Sequence, residues 1–353
     1  MSAIPTPRGH ELPVPDFYDP AHAEQWEYAP GQESLFERAL AWRAAHGLRP
    51  AAEDDRKVHM VLVDTQKDFG LRRGALYVGG RSGRGALEDN DRTARFIYRN
   101  LAALTDITCT LDTHFPHQVF FSSFWLEGER PPTPHQEVTL ADLRGGRLRP
   151  NPAVAPGLGI DAAELERRVE RYLEGLEERG RYALYLWPPH CLLGSDGHAL
   201  VGVLHEARLF HAYARVAPSW MEVKGTQPLS ENYSAVAPEV EIPQGRQPLP
   251  GLRPALAARL AEADAIVVAG QAASHCVKAT LEDLLGVLPE RLIKRVYVLR
   301  DCMSSVAVPD ATRPGEFLFD FTPQAEAALE RFRAAGMKIV DSTLPVTAWP
   351  EQG

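Results

Sequence analysis

The chain has 353 residues, 44% of them hydrophobic, and a formal net charge of −9, which allows a substantial core in one large domain or two and argues against nucleic acid as a general partner. No run of about eighteen apolar residues occurs, and Met1 to Asp19 is polar and proline-rich without a hydrophobic signal segment, so a cytoplasmic protein with no membrane partner is expected. The four cysteines, Cys109, Cys191, Cys276 and Cys302, have no CxxC spacing, which favours free thiols over a disulfide framework or a zinc ribbon.

Residues 1–57, rich in proline, alanine and charge with one helix around Glu33 to His46, read as an extension that wraps the main domain, 58–353. From Val58 onward β-like apolar runs (Val58–Val63, Ile107–Leu111, Tyr182–Leu186, Ala265–Ala269, Val296–Leu299 and Met337–Val340) alternate with helical stretches. The helices are expected at Asp91–Leu104, Ala199–Ala214, Leu252–Ala263, Cys276–Leu285 and Pro323–Ala335. This alternation predicts an α/β fold, a three-layer doubly wound and mostly parallel sheet with helices on both faces. At about 125–181 the order breaks into a proline-rich insertion. It carries a charged helix, capped by Asp161, whose apolar stripe runs through Leu165, Val169, Tyr172, Leu173 and Leu176. The stripe needs cover, from the body of the same subunit or from a second subunit of a homo-oligomer, and the insertion is either a packed surface element or a moving lid.

Four of the apolar runs lead into residues able to do hydrolytic chemistry, and in open α/β sheets the ligand crevice lies beyond the carboxyl ends of the strands. Cys276 follows a strand and a small-residue turn, Gly270 to His275, and opens a helix. There the helix terminus favours thiolate, and free N–H groups, that of Cys276 among them, can hold an oxyanion. Cys109 and Cys191 suit a structural role, and Cys302 is ambiguous. Asp64, ending the first strand, is a candidate base. Lys224 is one of only six lysines among 38 basic residues, so a compact ammonium is chosen where arginine is the default. Beside Asp64 and Cys276 it would keep the carboxylate ionised and stabilise thiolate. Asp112 and His114, two residues apart on an extended segment, suit a divalent metal, with His190 in Trp187-Pro188-Pro189-His190-Cys191 as the natural third ligand. His117 is either a further ligand or a loop residue.

Asp64, Lys224 and Cys276 in that order, with Asp68-Phe69, Tyr233-Ser234, Cys276-Val277 and Thr280 around them, resemble the nicotinamidase branch of the isochorismatase-like cysteine hydrolases over roughly 58–124 and 181–305. The resemblance implies a catalytic Asp64/Lys224/Cys276 set and a metal on Asp112, His114 and His190, zinc by preference with iron or manganese as alternatives. It further implies aromatic walls from Phe69 and Trp187, and an oxyanion hole from the N–H groups of Ala272 and Cys276 with a cis peptide at Gln271–Ala272. The implied reaction is hydrolysis of nicotinamide to nicotinate and ammonia through a thioester on Cys276. A related amidase on another small amide, ureido or carbamoyl compound is the first alternative, and a non-catalytic binding scaffold the second. Thr113, Lys67 and His275 depart from the branch's usual residues at the pocket rim, and compact members lack the extension and the insertion.

Overall fold

The computed structural model describes residues 11–241, 254–310 and 312–349. The first ten residues of the extension, Leu252 at the expected start of a helix, and the last four residues lie outside them.

Six strands make the main sheet: β1 (Val58–Val63), β2 (Asp106–Asp112), β3 (Ser219–Lys224), β4 (Ala265–Gly270), β5 (Val296–Leu299) and β6 (Lys338–Val340). They stand in the order β6-β5-β4-β1-β2-β3, with every pairing parallel. The longer helices are α1 (Gln32–His46), α2 (Gly85–Arg99), α3 (Ala162–Glu178), α4 (Gly202–Arg215), α5 (Pro254–Ala261), α6 (Cys276–Val287) and α7 (Thr322–Ala334). Side chains of a strand alternate between faces. Met60 and Leu62 pack with α1, α2 and α4 on one side, while Val61 and Val63 pack with α5, α6 and α7 on the other. A strand covered on both faces has to be apolar throughout, which is why β1 and β4 read as unbroken hydrophobic runs.

The chain runs outward from β1 through β2 to β3, then returns to place β4 on the opposite side of β1. The direction of winding therefore reverses between β1 and β4, and a crevice opens where their carboxyl ends diverge. Gly270 ends β4 there at φ 124°, and a Cβ on it would lie 2.1 Å from the carbonyl oxygen of Val63. Only glycine lets the two strands stay paired to that point.

One expected strand is placed elsewhere. Of Tyr182–Leu186 only Leu184–Tyr185 pairs, antiparallel to Glu137–Val138 and outside the main sheet. Pro188 and Pro189 prevent continuation, and Leu184, Tyr185, Leu186 and Trp187 join the core of the insertion. The edge position belongs to Ser219–Lys224, whose side chains up to Val223 are exposed or half-buried. An edge strand lacks the buried run by which the central strands are read. Two further departures are small: the helix expected at Asp91–Leu104 starts at Gly85 and ends at Arg99, and a hairpin of Ala307–Pro309 with Phe317–Asp320 follows β5.

The insertion has a hydrophobic cluster of its own. Asp161 caps α3 by accepting from the N–H of Glu164 at 2.8 Å, and Leu165, Val169, Tyr172, Leu173 and Leu176 are buried with Phe120, Phe124, Trp125, Leu148 and Trp187 of the same chain. The stripe is thus covered within the subunit. The described part of the extension lies over the face formed by α2 and α4. Glu206 of α4 accepts from the hydroxyls of Tyr28 and Tyr98, and Lys67 Nζ, at the turn after β1, donates to the carbonyl of Trp26 at 2.6 Å.

Candidate active site

Asp64, Lys224 and Cys276 come from β1, β3 and the start of α6 and meet in the crevice. Lys224 Nζ is 2.9 Å from Asp64 Oδ2, 3.0 Å from Asp112 Oδ1, 3.7 Å from Cys276 Sγ, and donates to the carbonyl of Asn232 at 2.7 Å. Carboxylate oxygens of Asp64 and Asp112 and the sulfur of Cys276 all lie within 4.8 Å of one another. Asp64 turns out of the strand at φ 45°, a conformation aspartate tolerates better than most residues. Its N–H donates to Thr110 Oγ1 at 2.9 Å, and that hydroxyl donates back to its carboxylate, so β2 fixes the carboxylate's orientation.

Burial dominates the electrostatics. It raises the Asp64 carboxyl above the ordinary range against the pull of Lys224, and Asp112 adds to the rise. For Asp112 burial acts the same way, but His114 and Lys224 outweigh it and hold this carboxyl well below the usual range. Lys224, despite its burial, is held firmly protonated by Asp112 and Asp64. Burial pushes the Cys276 thiol well up; Lys224 pulls it back, and Asp64 and Asp112 add to the rise.

Asp112, His114 and His190 each offer a ligand atom within 4.8 Å of the others, and all three are buried. His114 Nδ1 faces the carbonyl of Gly225 at 3.1 Å and His190 Nδ1 that of Pro188 at 2.8 Å. Each ring thereby keeps its proton on Nδ1 and turns Nε2 inward. His114 Nε2 is buried without a hydrogen bond and lies 3.0 Å from Asp112 Oδ2. Burial, then the neighbouring His114, lowers His190 to about 4, so at neutral pH it offers a lone pair. An orphaned inward nitrogen, two anchored imidazoles and a carboxylate fit a divalent cation. Gly225 makes room for them: at φ 77°, its Cβ would lie 2.6 Å from both Asp112 Oδ1 and His114 Cε1. His117 is exposed and stands outside this group.

The pocket above these atoms is lined by Phe69, Leu76, Val78, Trp187, Tyr233, Ala272, His275 and Val306, with Asp112, His190, Glu231 and Cys276 as its polar floor. Both expected aromatic walls are among them. The Gln271–Ala272 bond is cis. Among the described residues neither the N–H of Ala272 nor that of Cys276 donates to a protein acceptor. Gln271 is held from two sides, donating to Asp89 Oδ2 at 2.9 Å and accepting from the N–H of Ser304 at 3.2 Å.

Three departures at the rim acquire partners. Lys67 reaches the extension, Thr113 lies 2.8 Å from His198 Nε2, and the ring of His275 sits among Tyr182, Trp187, Tyr233 and Phe321 at centroid distances of 4.8 to 5.6 Å. Burial, then Lys278, lowers His275 to about 3, so it serves as a neutral aromatic wall. Cys109, Cys191 and Cys302 are fully buried away from the pocket lining.

Sequence reasoning missed Glu231, which lines the pocket, and Gln66. The Gln66 side chain accepts from the N–H of Asp112 at 2.7 Å and donates to its carbonyl at 2.8 Å, pairing with the ligand's backbone as a neighbouring strand would. A glutamine two residues after Asp64 was visible, but nothing in its spacing showed that partner.

A doubly wound parallel sheet with its crevice at this switch point, covered by helices on both faces, has the three-layer α/β architecture of the isochorismatase-like hydrolases. Among the solved structures to which the chain is similar are nicotinamidases and pyrazinamidases. A yeast nicotinamidase bound to the inhibitor nicotinaldehyde matches 80% of this chain and 99% of its own at a TM-score of 0.50 and 16% identity. An Acinetobacter baumanii nicotinamidase pyrazinamidase matches 82% of this chain and 98% of its own at a TM-score of 0.49 and 17% identity. A Pyrococcus horikoshii pyrazinamidase in complex with zinc matches 80% and 98% at a TM-score of 0.43 and 20% identity. At 16% identity the likeness to the yeast structure shows the fold alone. No family model matches the chain, and no curated protein does.

Proposed function

We propose that the protein is a metal-containing cysteine amidohydrolase acting on a small aromatic carboxamide, with nicotinamide as the leading substrate. The observation that carries the reading is the fully buried Lys224 ammonium touching Asp64, Asp112 and Cys276 at once. Such a charge is costly to bury, and a binding scaffold would have no use for it beside a thiol that lines the pocket.

The chemistry follows from the geometry. Asp64, its carboxyl raised by burial, is suited to take the thiol proton as sulfur attacks the carbonyl carbon, because a base works best when its pKa approaches the working pH. The N–H groups of Ala272 and Cys276 face the developing oxyanion. Protonated Asp64 then delivers its proton to the amide nitrogen, the C–N bond breaks, ammonia leaves, and an acyl thioester remains on Cys276. Asp64 next takes a proton from a water that attacks the thioester, which frees the carboxylate product and restores the thiol. Lys224 stays protonated throughout and balances the two carboxylates. Asp112, His114 and His190 would hold a divalent ion that supplies a Lewis-acid anchor for a ring nitrogen. Phe69 and Trp187 provide apolar walls for the ring.

Ammonia release from nicotinamide, pyrazinamide, aliphatic amides and carbamoyl compounds tests the reading. Turnover of pyridine carboxamides above the rest is expected, and absence of ammonia from every amide would overturn it. Metal content gives an independent readout. His190→Ala and Asp112→Asn should weaken the equilibrium affinity for zinc at least about tenfold, His190→Ala with little change in melting temperature. Unchanged occupancy of both variants by elemental analysis would remove the metal from the account.

A further inference from the structure

We propose that the insertion braces the substrate pocket, with Tyr172 of α3 as the positioning residue for the wall that carries Glu231 and Tyr233; the inference rests on the amidase reading. Residues 229–240 form a loop beyond Lys224. Its ends, Leu229 and Val240, are buried in the insertion's own cluster beside Tyr172, Leu173 and Leu176. The base is closed by the N–H of Glu239 donating to the carbonyl of Glu231 at 3.0 Å and by Ser230 Oγ donating to that of Val240 at 2.9 Å. Between these ends the loop delivers three groups to the site: Glu231 and Tyr233 to the pocket wall, and the carbonyl of Asn232 to Lys224 Nζ.

Helix α3 grips this loop twice. The fully buried hydroxyl of Tyr172 accepts from the N–H of Glu231 at 3.0 Å. One turn later Gly175 lies so close that a Cβ on it would be 2.6 Å from Val240 Cγ1. The far side of the loop rests on α6, where the N–H of Ala235 donates to Thr280 Oγ1 at 3.0 Å. Tyr233 passes the placement on, since its hydroxyl accepts from Trp187 Nε1 at 3.1 Å. A lid would close over the pocket mouth. Here the helix stands behind the wall and fixes where the wall lies, and the insertion thus sets the shape of the substrate site.

Tyr172→Phe keeps the packing and removes the hydroxyl that accepts from the Glu231 N–H, while Gly175→Ala pushes Val240 from the helix side. Both should speed hydrogen exchange across 229–241 by roughly three- to tenfold, the worth of one buried hydrogen bond, and leave β1, β2 and β4 unchanged. For turned-over amides KM should rise by a similar factor with kcat within about twofold. A loss of folded protein would instead lower apparent kcat at constant KM. Unchanged exchange in both variants overturns the brace, as does faster exchange with unchanged KM over the whole amide panel. If the wild type releases no ammonia from any amide, the amidase reading fails by itself, and the exchange measurement alone still decides whether α3 holds the loop.

Discussion

Cys276→Ala is expected to lower amide turnover by a factor on the order of 10⁴ to 10⁶, the scale seen when a covalent nucleophile is removed, while metal binding and melting temperature stay near wild type. Iodoacetamide should modify Cys276 before any other thiol and abolish activity in proportion. Accessibility is the reason for this selectivity. Cys276 lines the pocket while Cys109, Cys191 and Cys302 are fully buried, and burial pushes Cys109 and Cys302 up to about 12. Because the resting thiol of Cys276 is itself held up, its labelling should be slow near neutrality and quicken as pH rises. Labelling of another cysteine first, with activity retained, would remove Cys276 from the nucleophile role.

Lys224→Met should abolish turnover and also destabilise the fold, by about 3–5 kcal/mol, the cost of stripping the partner from a buried charge. Asp64 would then face Asp112 in a fully buried site without the ammonium that touches both. The methionine fills most of the lysine's volume, so the loss reports charge more than packing. The sign of the pH dependence separates the two causes. Without Lys224 the Asp64 carboxyl, already raised by burial, should rise further above its unfolded value, so the native state binds more protons than the unfolded state and stability rises as pH falls. The variant's deficit should accordingly be larger at pH 7 than at pH 5 in chemical denaturation. A deficit that does not change with pH would assign the effect to packing and weaken the charge-balance argument.

Much of the fold was legible because it obeys one rule. β1, β4 and β5 are buried on both faces and announce themselves as continuous apolar runs, and α6 begins where a small-residue turn follows β4. The site was legible where a residue type was costly for its place: a lysine in an arginine-rich chain, a histidine after two prolines, a cysteine at a helix start. What escaped was decided by tertiary context. β3 is an edge strand with exposed Trp220, Met221 and Val223, so no buried pattern marks it although it carries Lys224. Tyr182–Leu186 has the composition of a sheet strand, but its apolar side chains serve the insertion. The environment of the Cys276 thiol is set by its burial and by Lys224, Asp64 and Asp112 together, a meeting of distant segments that spacing does not encode. Glu231 and Gln66 are ordinary in sequence and acquire meaning only from what lies across from them.

A covalent acyl intermediate on Cys276 is tested most directly by mass spectrometry of the protein quenched in acid during turnover. With a pyridine carboxamide as substrate, the peptide containing Cys276 should gain the mass of one pyridine-carbonyl group, lose it to hydroxylamine, and show no gain in the Cys276→Ala protein. Ammonia release at full rate with no adduct on Cys276, or an adduct that survives the Cys276→Ala change, would contradict the account.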